Sequence, residues 1–358
     1  MKKLLVVFAM MVTIASYAQQ TVYNHRVNQN LENTVENYIK EFPNQEQVKM
    51  MNTWLEKNKK GTFQFTGLVD PTDATVVTPQ ATVSYGYNWF SLSDGYAIIN
   101  TPKYDKYFSV SIFDMYHNIP SVIVSPDKPI LLIRPNQEMP EGNFTIVYME
   151  TDQGLAFTRM VIVDNENEVD ELSKEITMEG GKGDMTRYVE RFSAHVEKKA
   201  HAVIDATFPI LSKDAGELFG YKSGDVGAIG LAVGVKYGQL GTPSQLATYD
   251  LFLADSDGKP LDGNSTYEIT VPANTFRESG YMSVTLYGVD NKLLIPNEKG
   301  VYDQTSYSAK PNEDSTYTIT VSPKGDGKNG IPTGKNFYGV LRVYEPIGDA
   351  KVIIKKIK

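Results

Sequence analysis

Two charged residues stand where a charge needs a reason. Asp114 ends the run Tyr107-Phe108-Ser109-Val110-Ser111-Ile112-Phe113-Asp114, and Arg342 lies inside Phe337-Tyr338-Gly339-Val340-Leu341-Arg342-Val343-Tyr344. Both sit among apolar neighbours, where burial demands a partner for the charge. A carboxyl in such a setting suits general acid–base work, and Asp114 is the candidate for it. Arg342 shares a strand face with Tyr338, Val340 and Tyr344. Its guanidinium can lie against a tyrosine ring while a carboxylate or backbone carbonyls accept its hydrogen bonds, so it is expected to be at least half buried. A third constellation is aromatic. Tyr85, Tyr87 and Trp89 share one face of an alternating stretch, a geometry that stacks sugar rings or other flat ligands. Because Val83 lies on the same face, and a sandwich needs large residues inside, that face reads first as sandwich core.

Other chemistries lack support. The chain has no cysteine and no Gly-x-Ser-x-Gly turn, so the familiar serine and cysteine nucleophiles have no local template. The histidines are His25, His117, His195 and His201, and the last two are six apart, on different sides of a helix. Asp255-Ser256-Asp257-Gly258 begins like a calcium loop but lacks the later ligands and the terminal Glu, so it reads as a β-turn with Gly at a positive φ. No glycine-rich phosphate loop stands between a strand and a helix. No metal or cofactor is expected.

The elements that position these residues fall into five stretches. Residues 1–18 read as a secretory signal peptide: Lys2-Lys3, the apolar run Leu4 to Ile14, then Ser16-Tyr17-Ala18 before a cut near Ala18. The run is too short to span a bilayer, so the expectation is a periplasmic or secreted protein with no membrane insertion. The net charge is −8, and loss of Lys2 and Lys3 takes it to −10. No basic stripe is present, which argues against a nucleic-acid partner. Residues 19–61 read as helical, with Leu31, Val35, Tyr38, Ile39 and Phe42 on one stripe, an interruption at Pro43, and Val48, Met51, Trp54 and Leu55 on a second. From 62 to 165 the period changes to two and short strands alternate with turns, the pattern of a sandwich or barrel. Residues 166–246 read as a helical connector, opening on an acidic hinge (Asp164 to Glu171), with a helix that Asp184 can cap and with Gly230, Gly234 and Gly238 four apart on one face. Residues 247–358 return to alternation in Tyr267, Ile269, Val271 and in Tyr317, Ile319, Val321. The fold class is therefore mainly β: two antiparallel β-sandwich or jelly-roll-like domains joined by a helical connector, after an N-terminal helical segment.

The second β stretch runs in a set order of pieces, from Tyr249-Asp250-Leu251-Phe252 through Leu293-Leu294-Ile295-Pro296-Asn297 to Leu341-Arg342-Val343-Tyr344-Glu345-Pro346. In that order it resembles the family called domain of unknown function 1214. The first stretch resembles that family's usual partner, domain of unknown function 1254, through Pro79-Gln80-Ala81-Thr82-Val83-Ser84-Tyr85-Gly86, Trp89-Phe90-Ser91-Leu92, Lys106-Tyr107-Phe108, Asp114 and Asn118. The framework Pro, Tyr, Trp and Leu are kept. The family's Asn and two Asp are replaced by Gln80, Thr82 and Ser91. In the second domain Gly300-Val301-Tyr302 lacks a characteristic arginine, and Asn329-Gly330-Ile331-Pro332 lacks a tryptophan. The resemblance runs from residue 63 to residue 346 and implies the same two-domain β fold.

The functional expectation is a non-catalytic, exported, envelope-associated protein that binds a glycan or other small molecule through Tyr85, Tyr87, Trp89 and Arg342. The alternatives are a hydrolase-like enzyme using Asp114 and a second acid at the domain junction, and a structural homo-oligomer, since exposed strand edges favour symmetric association.

Overall fold

A computed structural model describes residues 31–72, 79–163, 165–348 and 350–357. The expected signal peptide and His25 lie outside the described residues. Residues 31–55 form one helix, α1. The interruption expected at Pro43 does not occur: the helix continues through it, with Tyr38, Ile39 and Phe42 buried before it and Val48 and Met51 after it. A proline inside a helix costs about 3 kcal/mol, and two buried turns on either side offset it.

The first sandwich packs two sheets. One contains β1 (Gln64–Phe65), β2 (Val83–Ser91), β4 (Phe108–Asp114), β5 (Ser121–Val124) and β8 (Gln153–Val161), in the order β1-β2-β8-β4-β5. The other contains β3 (Ala97–Asn100), β6 (Ile130–Ile133), β7 (Thr145–Tyr148) and β9 (Thr177–Gly180), in the order β7-β6-β3-β9. Phe90, Phe108, Val110 and Ile112 from the first sheet meet Ala97, Ile99, Ile130 and Leu132 from the second. The pairing is antiparallel except that β6 and β7 run parallel. The acidic stretch expected as a hinge is a helix, α2 (Glu166–Glu175), capped by the Asn165 side chain with Glu166 and Glu168 in its first turn, where carboxylates suit the helix dipole. Its Val169 is fully buried, and β9 follows it back into the second sheet beside β3. Residues 166–180, read from sequence as the start of the connector, thus complete the first sandwich.

The connector helices are α3 (Ala194–Leu211) and α4 (Ala228–Gly238). Ser193 caps α3, not Asp184, whose side chain instead closes a turn by accepting from the Thr186 N–H at 2.9 Å. On α4 the glycines permit close approach: a Cβ at Gly234 would stand 3.0 Å from the Leu218 carbonyl oxygen.

The second sandwich repeats the plan. β10 (Ala247–Phe252), β12 (Phe276–Gly288), β13 (Asp303–Thr305) and β16 (Phe337–Pro346) form a sheet in the order β10-β16-β12-β13. β11 (Tyr267–Val271), β14 (Tyr317–Ser322), β15 (Ile331–Pro332) and β17 (Ile353–Lys356) form the other, in the order β15-β14-β11-β17, with β14 and β15 parallel. Ile269, Val271, Val284, Leu286, Leu341 and Val343 fill the space between them. The chain is mainly β, as its alternation implies, with one parallel pair in each outer sheet.

Each sandwich leaves one sheet face to be covered from outside. On the first, α1, α3 and α4 cover the part that carries Trp89, Leu155 and Phe157. The rest, around Val83, Tyr107 and Val161, meets Ala247, Tyr281 and Tyr344 of the second sandwich.

Candidate ligand site at the domain junction

Strand register decides which side chains reach the junction. On β2 and β8, Val83 stands opposite Val161 and Tyr85 opposite Arg159; on β4, Ser109 also stands opposite Arg159. On β12 and β16, Tyr281 stands opposite Tyr344 and Ser283 opposite Arg342, while β10 sets Tyr249 beside Arg342. Alternation turns each of these sets to one face, and the two faces meet.

The rings pack closely. Tyr281 and Tyr344 stack at 4.8 Å between centroids, and Tyr107 touches them at 4.9 and 5.0 Å. Tyr287 stacks on Tyr338 at 5.4 Å. Hydrogen bonds also cross the junction. The Tyr287 hydroxyl donates to the Pro79 carbonyl at 2.7 Å, the Thr82 hydroxyl to Asp303 Oδ2 at 3.0 Å, the Tyr107 N–H to the Tyr307 hydroxyl at 3.0 Å, and the Tyr344 hydroxyl to Gln80 Oε1 at 3.2 Å.

Not every polar group is satisfied. Tyr281 Oη, Gln80 Nε2, Ser109 Oγ and Ser283 Oγ are buried with no hydrogen-bond partner among the described residues. Tyr281 lies near Gln80, and Tyr107 near Ser109, without hydrogen-bond geometry being met at these atoms. Burial pushes the Tyr281 and Tyr344 phenols well above their ordinary range, so both remain neutral donors. Burial also raises the Asp303 carboxyl to about 6, against the opposing pull of the Thr82 hydroxyl and Arg342.

Arg342 is buried as expected. Its Nη1 donates to Thr285 Oγ1 at 3.3 Å, and its guanidinium lies 5.7 Å from the centroid of the Tyr287 ring. The ring it faces belongs to the neighbouring strand rather than to its own. Tyr85 is half-buried at the edge of the junction, stacked on Phe157 at 5.5 Å, and its hydroxyl accepts from the Gln80 N–H. Tyr87 and Trp89 stand further along β2, under the helices, and Trp89 is fully buried. The three aromatic residues share a face and one hydrophobic cluster, Tyr85 and Tyr87 both packing on Phe157, and Tyr85 alone also reaches the junction.

Asp114 sits at the far end of β4 from Tyr107. It is fully buried and locks its own turn: one carboxyl oxygen accepts from the N–H groups of Tyr116 and Asn118, the other from Asn118 Nδ2 at 2.8 Å. Burial raises it to about 6 despite these bonds. Asn118 Nδ2 also reaches Ser223 Oγ, which donates to Glu150 Oε2. A second carboxylate is therefore linked to Asp114 through two side chains. Asp255, in the calcium-loop-like stretch, accepts from the N–H groups of Asp257 and Lys259, the work of a turn residue, and Gly258 has φ 78°.

Arg159, Asp303 and Tyr281 reach the junction with no sequence expectation attached to them, and Tyr107 stands only as part of the family-like run Lys106-Tyr107-Phe108. Arg159 carried the same signal as Arg342, an arginine in mid-strand among apolar residues.

Residues 61–180 match the family described as protein of unknown function (DUF1254), and residues 247–347 match protein of unknown function (DUF1214). None of the curated proteins matches the chain. Among solved structures, the VPA0106 protein from Vibrio parahaemolyticus is similar, with a TM-score of 0.75 at 19% identity, covering 92% of this chain and 100% of that one. An uncharacterised protein from Burkholderia cenocepacia is similar with a TM-score of 0.50 at 10% identity, covering 95% of this chain and 98% of its own. At these identities the likeness concerns the fold alone.

Proposed function

We propose that this chain, which joins a DUF1254 domain (61–180) to a DUF1214 domain (247–347), is a non-catalytic binding protein whose small ligand sits between the two domains. It works outside the cytoplasm after removal of residues 1–18. Among the described residues no helix is long and apolar enough to cross a membrane.

One observation carries the reading. Tyr281 Oη, Gln80 Nε2, Ser109 Oγ and Ser283 Oγ are buried without partners on the two faces that meet. Leaving a buried polar group unsatisfied costs about 1–3 kcal/mol each, and native proteins leave few of them. Four of the fifteen such atoms among the described residues gather at this one junction; walled by tyrosine rings, they suit a small flat or sugar-like molecule that takes up those hydrogen bonds and stacks on the rings. A hydrolytic role would instead need two carboxyls aimed at one substrate. Asp303 is bonded to Thr82, and Asp114, though linked to Glu150 through Asn118 and Ser223, is turned into its own loop.

The test is purification of residues 19–358 under native conditions, followed by mass spectrometry of released small molecules and a thermal-shift screen of sugars and aromatic compounds. The expected result is a released compound or a hit that raises the melting temperature, with the effect weakened in Ser283→Ala, which removes only an unpartnered hydroxyl. If nothing is released, no hit appears and Ser283→Ala is simply more stable than the parent, the junction is plain domain glue and the reading falls.

A further inference from the structure

We infer, resting on that reading, that the ligand is a small organic acid whose carboxylate is taken by Arg159. Arg159 is held by neutral groups alone. It lies in mid-β8 and is 5% exposed. Its Nη1 donates to Ser111 Oγ at 3.0 Å, its Nη2 donates to the Leu240 carbonyl, and its guanidinium lies 4.5 Å from the centroid of the Phe157 ring. Every one of these partners is neutral. Among the described residues no carboxylate makes an ion pair with it.

A buried guanidinium without a counter-charge is costly, because the desolvation of an ion amounts to several kcal/mol and neutral acceptors repay only part of it. A guanidinium also has five donors in a planar fork, and the two contacts above leave donors over. Across the sheet it stands opposite Tyr85 on β2 and Ser109 on β4. Tyr85 stacks on the same Phe157 ring that the guanidinium lies over, and it adds a phenol and a flat wall to the positive charge. A planar fork pairs with a carboxylate or a phosphate alike; the aromatic rings beside it favour the flat carboxylic acid, which can stack on them. Asp303, the acid on the facing sheet, is already engaged by Thr82.

Titration calorimetry on residues 19–358 at low salt separates this inference from the reading beneath it. The probes are benzoate, 4-hydroxybenzoate and glucuronate, each set against a neutral counterpart: benzamide, 4-hydroxybenzamide and glucose. Inorganic phosphate is the tetrahedral control. The acids are expected to bind about tenfold or more tightly than their neutral counterparts and than phosphate. Arg159→Gln should remove that preference, and where the variant does not fold, rising salt should weaken the acids alone in the parent protein. Equal binding of acid and neutral partner, or stronger binding of phosphate, overturns the carboxylate assignment and keeps the ligand seat. Binding of none of the probes overturns both.

Discussion

Tyr281 and Tyr344 lie face to face on paired strands, their ring planes 5° apart and their centroids 4.8 Å apart. Tyr107 of the other domain leans on both, so three phenols from two domains make one contact. The Tyr281 hydroxyl is buried without a partner. Tyr281→Phe keeps the ring and deletes that hydroxyl, so it should leave stability unchanged or raise it by up to about 1 kcal/mol. Tyr281→Ala removes the ring and should cost about 3–5 kcal/mol. Urea unfolding of the two variants measures both. A Phe variant that loses more than about 1.5 kcal/mol would mean the hydroxyl is bonded in solution.

Gly280 makes the stack possible. The register of β12 against β16 breaks between Phe276 and Tyr281. At Gly280 a Cβ would stand 2.2 Å from the Tyr344 carbonyl oxygen and 2.7 Å from Glu345 Cβ. The first obstacle is backbone and cannot swing aside. Gly280→Ala should therefore cost about 2–4 kcal/mol by pushing β12 away from β16. The near-ultraviolet circular dichroism of the tyrosines should weaken with it. An Ala variant with parental stability and spectrum would show that the strands already stand further apart.

The strands were legible because a period of two survives whatever lies above the face. Val83, Tyr85, Tyr87 and Trp89 read correctly as one face, and so did Tyr338, Val340, Arg342 and Tyr344. What covers a face is not local information. Trp89 lies in the cluster covered by α1, α3 and α4, while Val83, on the same strand, lies with Tyr281 and Tyr344. Tyr107 precedes β4 by one residue, and its partners Tyr281 and Tyr344 belong to the other domain. Nothing near it in the chain announces that contact. The stretch 166–175 was masked by its charge, although Val169, Leu172 and Ser173 repeat at helical spacing. At Pro43 a local rule lost to burial on both sides of it.

Asp303 gives stability a pH dependence of definite sign. Burial raises its carboxyl to about 6, above the roughly 3.9 of an unfolded chain. Its contribution is complete below about pH 4 and is lost as pH rises through about 6, because the fold then holds an ion it disfavours. The loss approaches about 3 kcal/mol by pH 7. Asp114 is also raised to about 6 and adds a slope of the same sign. Asp303→Asn removes only its own share. Urea midpoints at pH 4.5 and pH 7.5 should show the Asn variant gaining on the parent at the higher pH alone. A gap that is the same at both values would mean Asp303 titrates as an exposed acid.

Arg342 is 6% exposed, bonded to Thr285 Oγ1 and set against the Tyr287 ring. The Tyr287 hydroxyl in turn donates to the Pro79 carbonyl of the first domain. The guanidinium thus lies against a residue that ties the domains together. Arg342→Ala should cost about 3 kcal/mol, through lost packing as well as lost hydrogen bonds. Arg342→Lys should recover only part of it, because an ammonium is a point donor and cannot lie flat against a ring. Thr285→Val tests the bond separately and should cost about 1 kcal/mol. In the double variant Arg342→Ala, Thr285→Val the two losses should fall short of adding, since each removes the same contact. Full additivity would mean that Thr285 and Arg342 act independently, and the cost of Arg342→Ala would then come from its other contacts, the Tyr287 ring among them.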